Sequence, residues 1–248
     1  MDINLRATAA VAPLSRIRTM PDPPLLISPS AAIGNQPELV VIDGASASSV
    51  QQALKRATDV VLSFMLLLVL IPVLVAIAIS VRLTSDGPVI FRQVRIGWHG
   101  HPFTIYKFRT MTSGAEAALV DLRDRNDVDG PLFKIHLDPR RTRLGAVLRK
   151  LSLDELPQLF NVIKGDMSLV GPRPFVPSES AAFTGWAARR FDVRPGMTGQ
   201  WQISGRNNLP FDELKRLDHQ YVSEWTLWKD LWILLITPAK VVRREGAY

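Results

Sequence analysis

The chain has 248 residues, no cysteine, and 30 Lys and Arg residues against 23 Asp and Glu residues, which gives a formal net charge of +7. The absence of cysteine excludes disulfide bonds, thiolate metal sites and cysteine nucleophiles. The length allows one globular domain with appendages. The positive charge favours anionic partners, such as lipid headgroups, phosphate compounds or nucleic acid.

The first 50 residues are rich in Ala, Pro and Ser and carry no sustained apolar period. Such a segment cannot bury enough apolar surface to offset the entropy that ordering would cost. We therefore predict a largely disordered tail over residues 1–50, in which only residues 38–43 could form a brief strand. The first long apolar segment begins too late in the chain for a secretory signal.

Residues 60–81 contain no charged side chain and have Pro72 in their middle. A helix of this length would be ~33 Å long, enough to cross a hydrocarbon core of ~30 Å. An interior proline removes a backbone donor, so we expect the helix to kink at Pro72. Basic residues such as Lys55 and Arg82 flank both ends, whereas a crossing helix usually has them on one side. We therefore favour a re-entrant membrane helix over residues 51–84 rather than a straight span.

The remainder of the chain, residues 85–248, is predicted to be an α+β catalytic domain, mainly helical. Residues 88–97 and 102–111 predict two strands joined by a glycine-containing turn, which makes a small β-hairpin. Alternation along the second strand puts Lys107 and Arg109 on the same face. A surface helix is expected over residues 115–126.

Three tryptophans near the C-terminus, Trp225, Trp228 and Trp232, recur at helical spacing and should share one face of a helix. One interpretation is an interfacial amphipathic helix with tryptophan at the headgroup level. The alternative is a stripe that packs into the core, and the sequence leaves both open.

Asp154 and Glu155 are adjacent carboxylates at the predicted start of an amphipathic helix over residues 154–163. Ser152 and Glu155 fit a capping box, so one interpretation is that the acids only cap a helix. The positive end of a helix also favours an ionised Asp154. An ionised carboxylate among arginines, beside a second acid that can share a divalent cation, suits a phosphoryl-transfer nucleophile. The predicted buried face of the helix consists of Leu156, Leu159, Phe160 and Ile163.

Several ordered motifs together resemble the bacterial sugar transferase family, the monotopic polyprenyl-phosphate phosphoglycosyl transferases that begin exopolysaccharide, capsule and glycan assembly. The resemblance covers residues 55–248, and its motifs include Lys55-Arg56-x-x-Asp59, Gln93-x-Arg95-x-Gly97, Lys107-Phe-Arg-Thr-Met111, Ser152-Leu-Asp-Glu-Leu-Pro-Gln158 and Gly171-Pro-Arg-Pro174. It implies transfer of a sugar-1-phosphate from a UDP-sugar to undecaprenyl phosphate, with release of UMP and with Mg²⁺ as cofactor. It also implies a re-entrant helix, broken near Pro72, at the cytoplasmic face of the bacterial inner membrane, and the long extension after Pro174 favours glucose or galactose.

The resemblance also implies roles for individual residues. Asp154 would be the nucleophile that takes the phosphosugar covalently, and Glu155 would assist in proton handling; both would bind the metal. The residues predicted to contact phosphate or nucleotide are Arg149 and Arg173, supported by Lys107, Arg109 and Arg95. The prolines on both sides of Arg173 would restrict its backbone.

Two other functions compete with this one. A membrane-bound phosphohydrolase would need the same pocket, with water in place of the lipid acceptor. A basic membrane-binding or lipid-binding protein would explain the charge without any chemistry. Nucleic acid is not an expected partner, because the chain lacks a recognised nucleic-acid module and a basic strand face with interleaved aromatics. The expected partners are a UDP-sugar, undecaprenyl phosphate and membrane lipids, and a homodimer is left open.

Overall fold

The computed structural model describes residues 48–119, 122, 126, 131–133, 135, 138–205 and 209–243. Almost all of the predicted tail over residues 1–50 lies outside this set. The described part is mainly helical with two small sheets, which confirms the predicted α+β class. The helices are α1 (Ser49–Thr84), α2 (Arg143–Lys150), α3 (Gln158–Lys164), α4 (Pro177–Ser180), α5 (Gln200–Ser204), α6 (Phe211–Ser223) and α7 (Leu227–Arg243). The strands are β1 (Ile90–Ile96), β2 (Pro102–Phe108), β3 (Ser168–Val170) and β4 (Gly196–Thr198).

Helix α1 is one continuous helix with Pro72 inside it, so the helix is not broken at this proline, and the kink expected there stays a prediction. A lost backbone hydrogen bond is tolerated in an apolar helix, because leaving further backbone groups unpaired would cost more. Ser48 begins the helix with a capping box, in which its side chain accepts from the backbone N–H of Gln51. Only a narrow stripe of α1 is buried, namely Asp59, Ser63, Leu67, Ile77 and Val81.

The predicted β-hairpin is confirmed. Strands β1 and β2 pair antiparallel, with Gln93 opposite Ile105, and a short 3-10 turn over Trp98–Gly100 joins them. Strand β2 ends at Phe108, so the side-chain alternation that predicted a shared face for Lys107 and Arg109 does not extend to Arg109. The second sheet, in which β3 and β4 pair in parallel, is too short to leave a pattern in the sequence.

The predicted helix over residues 154–163 is two separate pieces. A 3-10 turn over Leu153–Glu155 comes first, and α3 begins after Pro157. Proline lacks an N–H and is tolerated at a helix start, which explains the boundary. The capping-box prediction is wrong, because Ser152 makes no capping hydrogen bond with its side chain and has a left-handed backbone with φ of 54°. The burial prediction fails for Phe160, which is 56% exposed, and holds for Leu159 at 1%.

Among the residues that the structure describes, three hydrophobic clusters form the core, and α1 contributes to two of them. Leu67 packs in a cluster built from β2, α3, β3 and α7, and Ile77 and Val81 pack with Phe108 and α2. A third cluster lies beside the loop after β3 and includes Phe175, Phe183, Trp201 and Leu214. The long apolar helix is therefore packed along the catalytic domain.

The tryptophans near the C-terminus divide between the two interpretations. Trp228 and Trp232 lie on the same side of α7 and are 80% and 59% exposed. Trp225 precedes the helix, donates to Asp230 at 3.2 Å and packs against the first core cluster. In the region of the predicted helix over 115–126, the described residues show a 3-10 turn at Ala117–Leu119.

Candidate active site

Three segments bring charged side chains together at one place. Strand β2 supplies Lys107, the 3-10 turn before α3 supplies Asp154 and Glu155, and the loop after β3 supplies Arg173. The Oε1 atom of Glu155 accepts from Lys107 Nζ at 2.7 Å and from Arg173 Nη1 at 3.3 Å. Glu155 therefore links two cations that come from different segments of the chain.

Asp154 is the buried member of the carboxylate pair, with 6% of its surface exposed. Burial raises its pKa above the usual aspartate value, and the negative charge of Glu155 raises that pKa further. The positive charges of Lys107, Arg149 and Arg173 act in the opposite direction and lower the pKa. The anionic form of Asp154 is thus disfavoured by burial and favoured by the nearby cations, a balance that suits a nucleophilic carboxylate.

Arg149 and Lys107 are held rigidly rather than extended into solvent. Arg149 lies in the last turn of α2, and its Nε donates to the hydroxyl of Thr110 at 2.9 Å. Burial lowers the pKa of Arg149, and Asp154 is the largest opposing influence. Burial likewise lowers the pKa of Lys107, against the effect of Glu155. Thr110 was missed by sequence reasoning, because one hydroxyl next to a basic residue is too common to indicate a role.

Arg95 lies behind Arg173 rather than beside the carboxylates. Its Nη1 donates to the backbone carbonyl of Pro174 at 3.3 Å, and its Nη2 donates to Gln93 Oε1 at 2.6 Å. Burial, followed by the positive charge of Arg173, lowers the pKa of Arg95 to about 10. Arg95 thus supports the loop that carries Arg173. These hydrogen bonds favour a structural role for Arg95 over the predicted binding of substrate.

Arg109, another predicted site residue, lies outside the charged cluster, next to the end of α1. Its guanidinium donates to the carbonyl of Ser85 at 2.7 Å and to the carbonyl of Pro88, both just beyond the end of α1. A helix end leaves carbonyl groups without intrahelical partners, and Arg109 satisfies groups of this kind. The residues brought together are therefore Asp154, Glu155, Lys107, Arg149 and Arg173, with Arg95 behind them.

Two adjacent carboxylates fit the way in which proteins hold Mg²⁺. This cation commonly takes one or two carboxylates and completes its shell with substrate phosphates and water. Asp154 and Glu155 supply such a pair. Within the described ranges, no group of three or more His, Cys, Asp or Glu side chains is placed to hold a metal ion. The magnesium assignment stays a prediction that the donor set fits.

Comparison with known proteins identifies the family. The bacterial sugar transferase family matches residues 50–244, so the chain belongs to that family. A galactosyl transferase, CpsE, of Streptococcus agalactiae serotype III is 47% identical over 176 residues, which cover 70% of this chain and 39% of that protein. An undecaprenyl-phosphate galactose phosphotransferase of Salmonella typhimurium is 44% identical over 200 residues, 79% of this chain and 42% of that protein.

A shorter relative aligns over most of its own length. The uncharacterized sugar transferase EpsL of Bacillus subtilis is 45% identical over 194 residues, which cover 78% of this chain and 89% of EpsL. The chain thus spans about two fifths of the length of the two relatives named first and about nine tenths of EpsL. The family match over residues 50–244 includes nearly all of α1 and the whole charged cluster.

Proposed function

We propose that the protein transfers a hexose-1-phosphate, from UDP-galactose or UDP-glucose, to undecaprenyl phosphate and releases UMP, as the first membrane step of exopolysaccharide or capsule synthesis. The observation that carries this proposal is the buried carboxylate of Asp154, set among three cations beside Glu155. The family membership and the names of the galactose-transferring relatives support the same chemistry.

In the first step, a carboxylate oxygen of Asp154 attacks the β-phosphorus of the UDP-sugar. A new P–O bond forms to Asp154, and the bond between that phosphorus and the bridging oxygen of UMP breaks. The products are an aspartyl-phosphosugar and UMP. Arg173 and Lys107 lie where they can offset the negative charge that develops on the phosphates. Such stabilisation of the developing charge is usually the largest single contribution to catalysis of phosphoryl transfer.

In the second step, a phosphate oxygen of the lipid acceptor attacks the same phosphorus. The bond to Asp154 breaks, its carboxylate is regenerated, and the product is a polyprenyl-diphosphate-linked sugar. Two steps at one residue allow a soluble donor and a lipid acceptor to use one pocket in turn. Bound Mg²⁺, held by Asp154 and Glu155, would supply further charge neutralisation to the diphosphate.

We also propose that α1 enters the cytoplasmic face of the inner membrane and returns to it. This helix is long and apolar enough to cross a membrane, and only 17% of its most apolar window is buried in the protein. Its exposed apolar side chains include Val61, Phe64, Met65, Leu68, Val69, Ile71, Val75 and Ile79. Trp228 and Trp232 add a second exposed apolar surface, which suits the headgroup region.

Mass spectrometry of the intact protein and of its proteolytic peptides tests the chemistry. Incubation with a UDP-hexose and Mg²⁺, without lipid, should add one phosphohexose mass on a peptide that contains Asp154. The Asp154→Asn variant should lose this adduct and lower turnover by roughly 1,000-fold or more, since the nucleophile itself is removed. Substantial lipid-dependent turnover by Asp154→Asn would instead favour direct attack by the lipid phosphate.

The acceptor separates the transferase from the competing phosphohydrolase. Without lipid, the wild-type protein should release at most one UMP per molecule, together with the adduct; continued UMP release should depend on added polyprenyl phosphate and should yield a lipid-linked sugar. Equal UMP release with and without the lipid, accompanied by free sugar phosphate, would identify a hydrolase.

A further inference from the structure

The loop that carries Arg173 receives hydrogen bonds from two arginine side chains. Pro172 and Pro174 flank Arg173 and have no N–H, and residues 172–174 lie outside the regular secondary structure. Arg190 Nη2 donates to the backbone carbonyl of Arg173, and Arg95 Nη1 donates to the next carbonyl, that of Pro174, at 3.3 Å. We call this pair of contacts the carbonyl clamp.

Arg190 itself is fixed from several sides. It lies in the 3-10 segment Gly185–Asp192 and is 4% exposed. Its guanidinium lies 3.9 Å from the ring centre of Phe183 and 4.7 Å from that of Phe175. The same nitrogen that donates to the Arg173 carbonyl lies 3.2 Å from a carboxylate oxygen of Asp218 on α6. Asp218 is 3% exposed, so the ion pair is enclosed.

Burying the Arg190–Asp218 ion pair costs desolvation free energy that apolar side chains at the same positions would not cost. Burial lowers the pKa of Arg190 and raises the pKa of Asp218 to about 6, against the effect of Arg190. Apolar side chains of similar volume commonly replace a buried ion pair with no loss of stability. The pair therefore points to a task other than stability, and the contact that it serves is the one to the Arg173 carbonyl.

We propose that Arg190, oriented by Asp218, is a positioning residue that holds Arg173 in place for the donor phosphates. The connection runs from Asp218 through Arg190 to the backbone of Arg173, whose Nη1 reaches Glu155 at 3.3 Å. Misplacement of a binding group by ~1 Å can lower a rate by roughly 100-fold. This inference rests on the proposed function, because Arg173 is assigned there to the donor.

The test uses a double variant, Arg190→Met with Asp218→Leu, which removes both charges and leaves no unpaired ion. Arg189→Met is the matched control, because Arg189 is the neighbouring residue, pairs with Asp192 and has a side chain that is 33% exposed. Both variants should express and fold as the wild type does, since the first replaces a buried pair by apolar groups and the second changes a surface pair.

Hydrogen exchange gives a readout that does not depend on activity. The amides of Ile96 and Gly196 donate to the carbonyls of Phe175 and Pro172, on either side of the clamp. In the double variant these two amides should exchange about tenfold faster, because the loop opens more often. The amide of Gly165, at the end of α3, should exchange at the wild-type rate. Unchanged exchange at Ile96 and Gly196, or equal acceleration along the whole chain, would overturn the proposal.

Kinetics then show whether the clamp acts through Arg173. In the wild-type background the double variant should raise the KM for UDP-hexose by about tenfold. In an Arg173→Ala background it should change KM by less than about twofold, because residues that act as one unit are not additive. Equal effects in both backgrounds would overturn the positioning role. A wild-type protein that releases no UMP would contradict the proposed function, while hydrogen exchange would still decide whether the clamp exists.

Discussion

Lys107 and Arg109 show how a one-residue difference in strand length separates two roles. Both are basic, they lie two positions apart, and alternation predicted one face for them. Lys107 lies within β2 and contacts Glu155 at 2.7 Å. Arg109 lies beyond the strand, and it binds carbonyl groups at the end of α1. One residue belongs to the charged cluster, and the other joins α1 to the hairpin.

Methionine substitutions at these two positions should have opposite signatures. Lys107→Met should lower kcat/KM for UDP-hexose by about 100-fold, because a fixed cation beside the phosphates is lost. Its melting temperature in detergent should change little. Arg109→Met leaves the carbonyls of Val81, Ser85 and Pro88 without their charged donor, which costs ~2 kcal/mol and lowers the melting temperature by about 5 °C. Thermal unfolding and steady-state kinetics on both variants check this, and a stable but inactive Arg109→Met would return Arg109 to the site.

Helix α3 connects the charged cluster to the membrane helix. It begins just after Glu155, and its C-terminal carbonyls are bound by a residue of α1. Arg56 donates to the carbonyls of Val162 at 2.6 Å and Ile163 at 2.8 Å. Arg194 donates to the carbonyl of Gly165 at 3.0 Å. Cations at a helix C-terminus also interact favourably with the helix dipole.

Removal of the Arg56 side chain should therefore loosen α3 from α1. Arg56→Met should lower the melting temperature by about 5 °C, because two helix-end carbonyls lose charged partners at a cost of ~1–3 kcal/mol. Lys164→Met is the control in the same helix end, since the Lys164 side chain is 61% exposed and pairs with Asp166. That surface pair contributes less than ~1 kcal/mol, so its loss should leave the melting temperature unchanged within about 2 °C. Equal shifts for both variants would show that Arg56 adds no more than a surface charge.

The sequence predicted which helices and strands form better than it predicted where they end and which tertiary contacts they make. The hairpin and the charged cluster followed from alternation and from motif resemblance. The start of α3 was misplaced, because a capping-box pattern competed with Pro157, and the proline determined the boundary. Arg190 was missed, because a buried arginine looks the same in the sequence as the half-buried Arg189 beside it. Its role depends on Asp218, 28 positions away, and only tertiary packing brings the two together.

At the scale of the whole molecule, one folded unit contacts α1 at both of its ends. Near the start, Lys55 lies 2.8 Å from Asp230 of α7 and 3.0 Å from Asp59. At the other end, the Ser85 carbonyl accepts from Arg109. A helix that crossed the bilayer would separate these ends by ~30 Å of hydrocarbon and would place part of the charged body at membrane depth. These contacts support the proposal that both ends lie on the same side.

Single introduced cysteines test this topology without background labelling, because the chain contains no native cysteine. Gln52→Cys lies near the start of α1, and Asp86→Cys lies just past its end; both positions are exposed. Asp86 is preferable to Ser85, whose hydroxyl binds Arg109. Because basic residues flank both ends of α1, both should stay on the cytoplasmic side. A membrane-impermeant maleimide should then label neither cysteine in intact cells and both after detergent permeabilisation. Labelling of Asp86→Cys alone in intact cells would show that α1 crosses the membrane and would refute the re-entrant arrangement.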